Sequence, residues 1–406
     1  TIIGMRNVKI SVLVGIIAIF CVVAGGLLAL RNAARKPRVV LYGIPEREAE
    51  ALCTVIGEQA ECTDFAADTS LYYQLRHARK PDMLITVAGE KLNAALAEKP
   101  ASATYDSALL TGVTSAIRTG VHEEGQRVSS LPLLSSHFEI DIHTEILHDT
   151  GITTIATWGD IERFATAARA QRRTYIAFAG KDATTTLDLL GALTEALDGR
   201  RAYDAAAAIL RAARKGEQAF NAQETARLLA AEGDAPLFSA VRLLRSWFDK
   251  GLLHPETFSF DKTTLGTFMA ADLISMTFMS LNDHRAYDVS VIKPYASIYI
   301  PSQRPPSVRA FTAVILHAVP FTKQKKALAL AQQLMTADTQ ENLSHMTGLA
   351  PVLAQCPTPD QQADDARYWV AATNAPLAGL SREAALSDAQ WQELSAALAR
   401  IIRFGT

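Results

Sequence analysis

The sequence is poor in the features that mark several common classes of protein. Four cysteines in 406 residues are too few for a scaffold held together by disulfides. Forty basic and forty-two acidic side chains leave a formal net charge of -2, which excludes a nucleic-acid binder with a concentrated positive face. Hydrophobic residues make up 49% of the chain and charged residues 20%, which excludes a disordered or fibrous protein. We expect a globular protein of two or three domains, at roughly 150 residues a domain.

Catalytic and metal-binding motifs are missing too. The chain contains no G-x-S-x-G, G-x-x-x-x-G-K-[ST], G-x-G-x-x-G, H-E-x-x-H or C-x-x-C sequence. The best set of metal ligands is His137, Asp141, His143 and His148, but its spacing matches no zinc pattern and favours ordinary surface or capping roles. We therefore predict a protein that binds rather than catalyses, with no cofactor and no metal.

Cys53 and Cys62 are close in sequence and could form a disulfide if they were oxidised. One falls in a predicted helix and the other at the start of a predicted strand, so we expect both to serve in apolar packing. Together with Cys356 they make an odd number, which leaves at least one thiol free or paired between chains.

A long apolar run lies near the N-terminus. Residues 10–30 carry no charged side chain and would form ~31 Å of helix, about one hydrocarbon core. Arg6 and Lys9 precede the run, as in an export signal, but the run is longer than the apolar region of most signal peptides. Residues 1–36 are therefore either a signal peptide or a retained membrane anchor, and the large residue before Cys21 argues against lipidation. We expect an exported body in the periplasm or another extracytoplasmic space, attached to the cytoplasmic membrane if the anchor is retained.

Beyond residue 37 the chain alternates strands and helices. Apolar segments at 38–42 and 82–87 predict strands, residues 61–65 can form a further strand, and helices are predicted at 44–60 and from residue 90. Strands that are continuously apolar, rather than alternating, indicate a parallel sheet covered on both faces by right-handed crossovers.

A second α/β block begins near residue 131. Its predicted elements are helices at 158–170, 183–197 and 203–250, strands at 174–178, 273–279, 289–300 and 309–318, and a helical tail from 322. We expect Thr157 to cap the helix that begins at Trp158, with Asp160 placing negative charge on its first turn and Trp158 anchoring it in the core. Because no repeat or long linker separates the blocks, two α/β lobes joined by short crossings fit best.

Five sets of segments, in order along the chain, match motifs of one family. They are residues 38–43, a strand running into a loop; residues 81–85, a P-D-hydrophobic strand; residues 131–133, 142–147, 151–152 and 157–161, like LP…YNKDLF…G(I/L)…TWDEL; residues 252–255, 268–271 and 274–276, like F-x-x-G-x-x-A-M; and residues 326–339 with 348–352, like A-x-x-F…G-x-x-P-V. On these motifs the chain resembles the extracellular solute-binding proteins of ABC transporters of the carbohydrate-uptake type, family 1, which are similar to the maltose-binding protein.

The resemblance implies an α/β, two-lobed periplasmic-binding-protein fold of type II, in which hinged lobes with central sheets flanked by helices follow one N-terminal helix. The implied lobes are residues 37–134 with 300–338, and residues 135–299 with 339–406. The chain would cross between the lobes near residues 131–137, 298–304 and 336–342.

The implied function is that of the solute-binding receptor of an ABC importer. Such a receptor, expected here as a monomer, captures a small polar solute in the interlobe cleft by hinge closure and presents it to the permease subunits. The solute would be a sugar or a related polyol or sugar phosphate, and the N-terminal helix would contact the membrane. The alternative is a membrane-anchored interaction or sensory protein that keeps the fold without feeding a transporter.

Candidate ligand-binding residues follow from where such clefts bind, at loops beyond the carboxyl ends of strands. In these loops they are Tyr42, Gly43, Glu90, Lys181, Ser280, Asn282 and Asp283, and the cationic Arg304 is added to them. Tyr42 would stack on the solute, Glu90, Asn282 and Asp283 would hydrogen-bond its hydroxyl groups, and Lys181 or Arg304 would bind an anionic group. The alternative is that most of these residues only form turns. The family's tryptophan after A-M is absent, and Phe278 or Asn282 would have to replace it.

Overall fold

The computed structural model describes residues 35–213, 220–231 and 233–405. The apolar run at residues 10–30, and with it the predicted signal peptide or anchor, lies outside these ranges. Within them, no helix combines the length and the apolar character that crossing a membrane requires.

Strands and helices alternate along most of the chain. Up to residue 135 they are β1 (Arg38–Tyr42), α1 (Glu46–Ile56), β2 (Glu61–Phe65), α2 (Leu71–His77), β3 (Met83–Val87), α3 (Glu90–Glu98), β4 (Tyr105–Asp106), α4 (Ser115–Arg118), β5 (Glu123–Glu124), β6 (Arg127–Val128) and β7 (Leu131–Ser135). From there to residue 298 they are β8 (Phe138–His143), α5 (Thr144–Asp149), α6 (Trp158–Arg172), β9 (Tyr175–Ala177), α7 (Ala183–Asp198), α8 (Arg200–Ala213), α9 (Ala222–Ala230), α10 (Phe238–Asp249), α11 (Lys262–Ala270), β10 (Ile274–Ser280), α12 (Leu281–His284), α13 (Val289–Ile292) and β11 (Tyr295–Ile298). The last are β12 (Ala310–Thr312), β13 (Ile315–Pro320), α14 (Lys325–Leu334), α15 (Ala337–Thr347), β14 (Ala350–Pro351), α16 (Gln361–Ala372), β15 (Ala375–Leu377) and α17 (Asp388–Phe404).

The first lobe is built on a six-stranded sheet with the order β14-β7-β13-β3-β1-β2. β1 pairs in parallel with both β2 and β3, as the alternation of apolar strands and helices predicts. β13 is antiparallel to both β3 and β7, so the sheet is mixed rather than wholly parallel. Every residue of β3 is buried, because hydrophobic clusters cover both faces of the sheet.

The second lobe is built on a four-stranded sheet with the order β11-β8-β10-β9. β8 is antiparallel to both of its neighbours, and β10 is parallel to β9. All residues of β8 are buried, including the polar Glu139, Asp141 and His143. The predicted strand at 289–300 is only partly correct, because Asp288 caps the short helix α13 and the chain becomes extended only at β11.

Each sheet carries its own hydrophobic core. The second core contains α7, which is buried along nearly its whole length. The predicted capping by Thr157 is confirmed: its Oγ1 accepts a hydrogen bond from the Asp160 N–H over 3.1 Å, and the Asp160 carboxylate accepts one from the Thr157 N–H over 2.8 Å. Trp158 packs on this core, with its ring centroid 6.2 Å from that of Trp247, as predicted for an anchoring side chain.

The chain crosses between the two sheets three times. The first crossing lies between β7 and β8, inside the predicted range 131–137. The second leads from β11 to β13 and is longer than predicted. The third follows β15, because β14 pairs with β7 and α15 packs on α1, so placing this crossing at 336–342 and residues 339–372 in lobe 2 was wrong. The reason is the turn at Gly348, whose φ of 70° returns the chain to the first sheet.

A disulfide joins Cys53 on α1 to Cys62 on β2, with the two Cα atoms 5.8 Å apart. The expectation that these residues serve only in apolar packing is therefore wrong. Gly57, with a φ of 52°, ends α1 and lets the short connection bring β2 beside β1. In the described part of the chain, Cys356 is a buried free thiol.

Candidate functional site

Tyr42 is the last residue of β1, where it was predicted to face a solute. Its side chain is buried, and its hydroxyl donates a hydrogen bond to the Thr69 carbonyl over 3.2 Å. Lys91 Nζ lies over the ring, 5.0 Å from its centroid. Burial raises the pKa of Tyr42, and the negative charge of Glu90 raises it further. Lys91, which the sequence analysis missed, thus covers the ring that was predicted to stack on a solute.

Two glycines shape this edge of the first lobe. Gly43 has a φ of 66°, and a Cβ atom there would collide with the Lys91 side chain. Gly89 has a φ of 100° and precedes Glu90, which begins α3. The carboxylate of Glu90 is favourably placed at this helix N-terminus, where the backbone carries partial positive charge. The first-lobe candidates Tyr42, Gly43 and Glu90 thus lie together, around Lys91.

Ser280 ends β10 in the second lobe, and Asn282 and Asp283 follow it. Ser280 Oγ accepts a hydrogen bond from the Asp283 N–H over 3.2 Å and caps α12. The Asp283 carboxylate accepts a hydrogen bond from Lys262 Nζ over 2.5 Å, and Asp182 lies 3.3 Å from the same nitrogen. Burial by itself would lower the pKa of Lys262, but the two carboxylates outweigh it and raise that pKa.

Lys181 extends this charged group towards solvent. Its side chain is 65% exposed, and its Nζ lies 3.5 Å from the Asp261 carboxylate. We call the resulting set of side chains the charged rim; it consists of Lys181, Asp182, Asp261, Lys262 and Asp283. A groove of about 480 Å³ opens beside the rim and is lined in part by Lys262, Asp283 and Tyr287. The rim gives the second lobe hydrogen-bonding groups of both charges at one place.

One hydrogen bond joins a candidate residue of the second lobe to the first lobe. Asn282 Nδ2 donates to Glu48 Oε1 on α1 over 2.6 Å. Glu48 is only 2% exposed, and burial raises the pKa of its carboxyl. Beside this pair, the Arg47 guanidinium donates to the Arg285 carbonyl over 2.7 Å. Sequence reasoning missed Glu48, although its place in the first turn of the helix after the Tyr42 loop was a usable signal.

Arg304 does not join the other candidates. Its guanidinium donates to the Glu195 carbonyl over 3.2 Å and lies against Gly199, just beyond the C-terminus of α7. Lys181 lies just before the N-terminus of the same helix, ~24 Å away at 1.5 Å of rise per residue. The prediction that Arg304 binds an anionic group at the cleft is therefore wrong, because the residue serves instead to satisfy carbonyl groups at a helix end.

Three of the four side chains considered as metal ligands lie in separate surroundings. His137 lies at the first crossing, with its ring parallel to that of Phe311 at a centroid distance of 6.1 Å. His143 Nε2 lies 3.1 Å from the Asp272 carboxylate, and the side chain of His148 is 91% exposed. These residues occupy core, capping and surface positions.

Asp141, the fourth, belongs to a group that the sequence analysis did not find. We call it the buried cluster; it consists of Glu139, Asp141, His284, Ser297 and Gln362. His284 Nδ1 lies 2.9 Å from Asp141 Oδ1, and Gln362 Nε2 donates to Glu139 Oε1 over 2.7 Å. Burial, followed by the neighbouring Asp141 carboxylate, raises the pKa of Glu139 well above its usual range. The sequence signal was the alternation of acidic residues within an apolar strand.

The four tryptophans are all used in packing. Trp247 is fully buried, Trp158 and Trp391 pack on the second core, and Trp369 packs on the first. None of them lies directly after β10, which is where the resemblance places a sugar-stacking tryptophan. Phe278 does not replace it, because its ring is buried at 6.1 Å from that of Trp247.

No family model and no curated protein sequence matches this chain. Solved structures match it over most of its length. The bacterial solute receptor AcbH, which has an exclusive preference for β-D-galactopyranose, matches with a TM-score of 0.64 and 10% identity, covering 91% of this chain and 98% of its own. A sugar transporter protein from Bacillus licheniformis in complex with stachyose matches with a TM-score of 0.59 and 11% identity, covering 89% and 94%.

RafE from Streptococcus pneumoniae, in its apo form, matches with a TM-score of 0.59 and 13% identity, covering 85% of this chain and 89% of its own. At such low identities the likeness shows the fold alone. The chain therefore has a mixed α/β fold similar to that of the two-lobed solute-binding proteins, and the neighbours named here are solute-binding proteins rather than enzymes.

Proposed function

We propose that this protein is the solute-binding receptor of an ABC importer and that it captures a sugar-like solute between its lobes by hinge closure. The observation that carries the proposal is the hydrogen bond from Asn282 to Glu48, because it joins a strand-end loop of one lobe to a helix of the other. In a hinged binding protein, residues from both lobes must contact the solute, since a ligand favours the closed form only by binding it better than the open form. The likeness to sugar receptors supports the same function.

The chemistry of the two edges favours a small, hydroxyl-rich solute. Glu90 and Lys91 on the first lobe, and the charged rim on the second, supply charge-assisted hydrogen bonds in both directions. Aromatic platforms are scarce beside them, because the Tyr42 ring belongs to a hydrophobic cluster of the first lobe and the tryptophans are used in the cores. Short sugars, polyols and sugar phosphates fit such a site better than long oligosaccharides that need a row of aromatic platforms.

The proposed compartment is extracytoplasmic. The disulfide between Cys53 and Cys62 supports it, because disulfides persist in oxidising spaces and are rare in the cytosol. Export by the N-terminal run at residues 10–30, as a signal peptide or a retained anchor, and delivery to permease subunits by a monomeric receptor complete the proposal.

A membrane-anchored interaction or sensory protein is the second candidate. It is favoured by the contacts that the candidate groups make within the protein, since Tyr42 is buried and the charges of the rim are paired with one another. In this case no sugar would stabilise the protein, and the closed form would persist in solution. The two candidates therefore predict different responses to added solute.

The test is a thermal-unfolding screen of residues 37–406 against sugars, polyols and sugar phosphates. A true solute at ~100 times its Kd should add ~2.7 kcal/mol to the free energy of unfolding and should reduce the radius of gyration in X-ray scattering. Tyr42→Ala and Asn282→Ala should each weaken binding by roughly 1–3 kcal/mol, the first because it removes the ring that holds Lys91 in place and the second because it removes a hydrogen-bond donor. Arg304→Gln is the matched control and should leave binding unchanged, since Arg304 lies at the far end of α7. An unchanged radius of gyration at saturation, or full affinity in both variants, would contradict hinge closure at this site.

A further inference from the structure

The buried cluster brings together three groups that commonly bind metals. Glu139, Asp141 and His284 are 0%, 0% and 4% exposed, and their ligand atoms all lie within 4.8 Å of one another. Donor atoms bound to one ion at ~2.1 Å lie roughly 3.4 to 4.2 Å apart, so a small contraction would bring all three to a single ion. None of these groups takes part in the proposed solute contacts.

The register of the second sheet explains why these groups converge. Glu139 and Asp141 are two residues apart on β8 and therefore point to the same face. Thr277 on β10 and Ser297 on β11 both lie directly opposite Asp141, so their side chains share that face. His284 reaches the same place from α12, the short helix that follows β10.

Several buried oxygen atoms of this face have no partner. Glu139 Oε2 and Asp141 Oδ2 accept no hydrogen bond, and neither residue is exposed to water. Thr277 Oγ1, which faces Asp141 across the sheet and is also fully buried, has no partner either. Since buried polar atoms in proteins are nearly always satisfied, three such atoms at one place indicate a missing partner.

The charge of the cluster indicates that the missing partner is a cation. In the described residues, the only basic side chain within ion-pair distance of Glu139 or Asp141 is His284, at 3.8 Å and 2.9 Å. Arg285 is close, but its guanidinium pairs with Asp360 at 2.6 Å. If both carboxylates are ionised, one imidazole cannot balance them, whereas a divalent ion bound by two carboxylates and a neutral imidazole is electrically balanced. Without an ion, Glu139 has to keep its proton.

The amide nitrogen of Gln362 occupies the centre of the cluster. It lies 2.7 Å from Glu139 Oε1 and 2.7 Å from His284 Nδ1, and it also donates to Ser297 Oγ. An amide group has two hydrogens and cannot serve three acceptors, and His284 Nδ1 cannot both donate to Asp141 and accept from Gln362. Three electron-pair donors around one point form a site that suits a metal ion better than an amide.

We propose that Glu139, Asp141 and His284 bind one divalent first-row transition-metal ion. The ion takes the place of the Gln362 amide nitrogen, so that side chain has to move outwards; Ser297 Oγ and, from its new position, the side-chain carbonyl of Gln362 complete the coordination. One nitrogen and several oxygen donors suit Zn²⁺, Mn²⁺ or Co²⁺ better than Ca²⁺ or Mg²⁺, which take oxygen ligands alone. Gln362 lies on α16, whose Ala366 and Val370 belong to the first core, so the ion joins the two lobes.

The test uses the exported chain, treated with a chelator and then supplied with Zn²⁺ alone. We expect one Zn²⁺ per chain to remain after gel filtration, and Co²⁺ in its place to give the visible absorption of a five-coordinate site, which is stronger than that of hydrated Co²⁺. Glu139→Gln, Asp141→Asn and His284→Gln should each weaken Zn²⁺ binding by roughly 100-fold or more, because even the loss of an outer-shell partner costs 10- to 100-fold. His148→Gln and Asp249→Asn, which alter exposed residues, should bind Zn²⁺ as the unaltered chain does.

Several outcomes would overturn the site. One is that no Zn²⁺ is retained by the unaltered chain, in which case the cluster is a hydrogen-bond network that shares a proton. Another is equal retention in all five variants, which would mean adventitious binding at surface groups. If a cluster variant fails to fold by circular dichroism, the Co²⁺ spectrum of the unaltered chain decides, since the weak absorption of hydrated Co²⁺ would exclude the site. None of these outcomes tests solute binding, which the separate sugar screen measures.

Discussion

Asn282 Nδ2 donates a hydrogen bond to Glu48 Oε1 over 2.6 Å, although the two residues are 234 positions apart in the sequence. Asn282 follows the third strand of the second sheet, and Glu48 lies in the first helix of the first lobe. A hydrogen bond between the two lobes stabilises the arrangement in which they touch. It is therefore a direct target for testing the proposed hinge closure.

The protonation of Glu48 should make stability depend on pH. Burial raises the pKa of this carboxyl above its usual 4.5, so the folded protein retains a proton that the unfolded chain releases. The free energy of unfolding contributed by Glu48 therefore falls as pH rises from about 4.5 through the raised pKa. Glu48→Gln keeps an oxygen that accepts from Asn282 and removes the titration. In urea unfolding from pH 4 to 8, the variant should gain stability relative to the unaltered chain as pH rises; a pH-independent difference would contradict this.

The disulfide between Cys53 and Cys62 should stabilise the first lobe. The bond closes a short loop, since the two residues are 9 positions apart. The restriction of the unfolded chain by a loop of this size corresponds to about 2–3 kcal/mol. The double variant Cys53→Ser/Cys62→Ser should lose that much in urea unfolding, and a reductant should lower the stability of the unaltered chain but not that of the variant. Labelling of both thiols in the native, unreduced protein would show that the bond does not form.

The first lobe was predictable where local pattern and tertiary structure agree. β1 and β3 are short apolar segments, buried along nearly their whole length, so their sequence alone indicates a covered sheet, whereas the polar edge strand β2 carries a weaker signal. The strand predicted at 289–300 failed at its start, because Asp288 caps a helical turn that the β-branched Val289 and Ile292 do not reveal. The third crossing was misplaced because β14 has only two residues and no periodicity to detect.

The candidate site was predictable only within single loops. Ser280, Asn282 and Asp283 do lie together, because they are neighbours in sequence. Their partners could not be found in this way, since the contact between Gln362 and Glu139 joins residues 223 positions apart. Such pairs depend on how the lobes pack, and a single sequence carries no signal for them. The prediction for Arg304 was wrong for the same reason, because the role of this residue is set by the C-terminus of a helix that is distant in sequence.

The ion pair between Arg309 and Glu195 should be essential to the second crossing. Both side chains are at least 95% buried, and two guanidinium nitrogens donate to Glu195 Oε2 over 3.0 and 2.7 Å. Glu195→Gln leaves the Arg309 charge buried without a counter-ion, and we expect a loss of about 3–5 kcal/mol in urea unfolding. Arg309→Met in the same chain should recover most of this loss.

The matched control for this pair is an exposed ion pair. Glu224 lies 3.2 Å from Arg227 on the surface of α9, and Glu224→Gln should cost less than about 1 kcal/mol. If Glu195→Gln costs no more than Glu224→Gln, the buried pair does not hold the crossing.

The neutral form of His137 should make the protein sensitive to acid. Burial, together with the charge of Arg309, lowers the pKa of His137 to about 3, and both of its ring nitrogens lack hydrogen-bond partners. The unfolded chain takes up a proton at its ordinary pKa of about 6.5, so the stability that His137 contributes is present above that pH and is lost as pH falls towards 3, by about 1.4 kcal/mol per pH unit. His137→Phe keeps a ring against Phe311 and should reduce this slope, measured by urea unfolding between pH 4 and 7. His148→Gln, which alters an exposed residue, should leave the dependence of the free energy of unfolding on pH unchanged. If the unaltered chain and His137→Phe show the same dependence, His137 does not remain neutral in the fold.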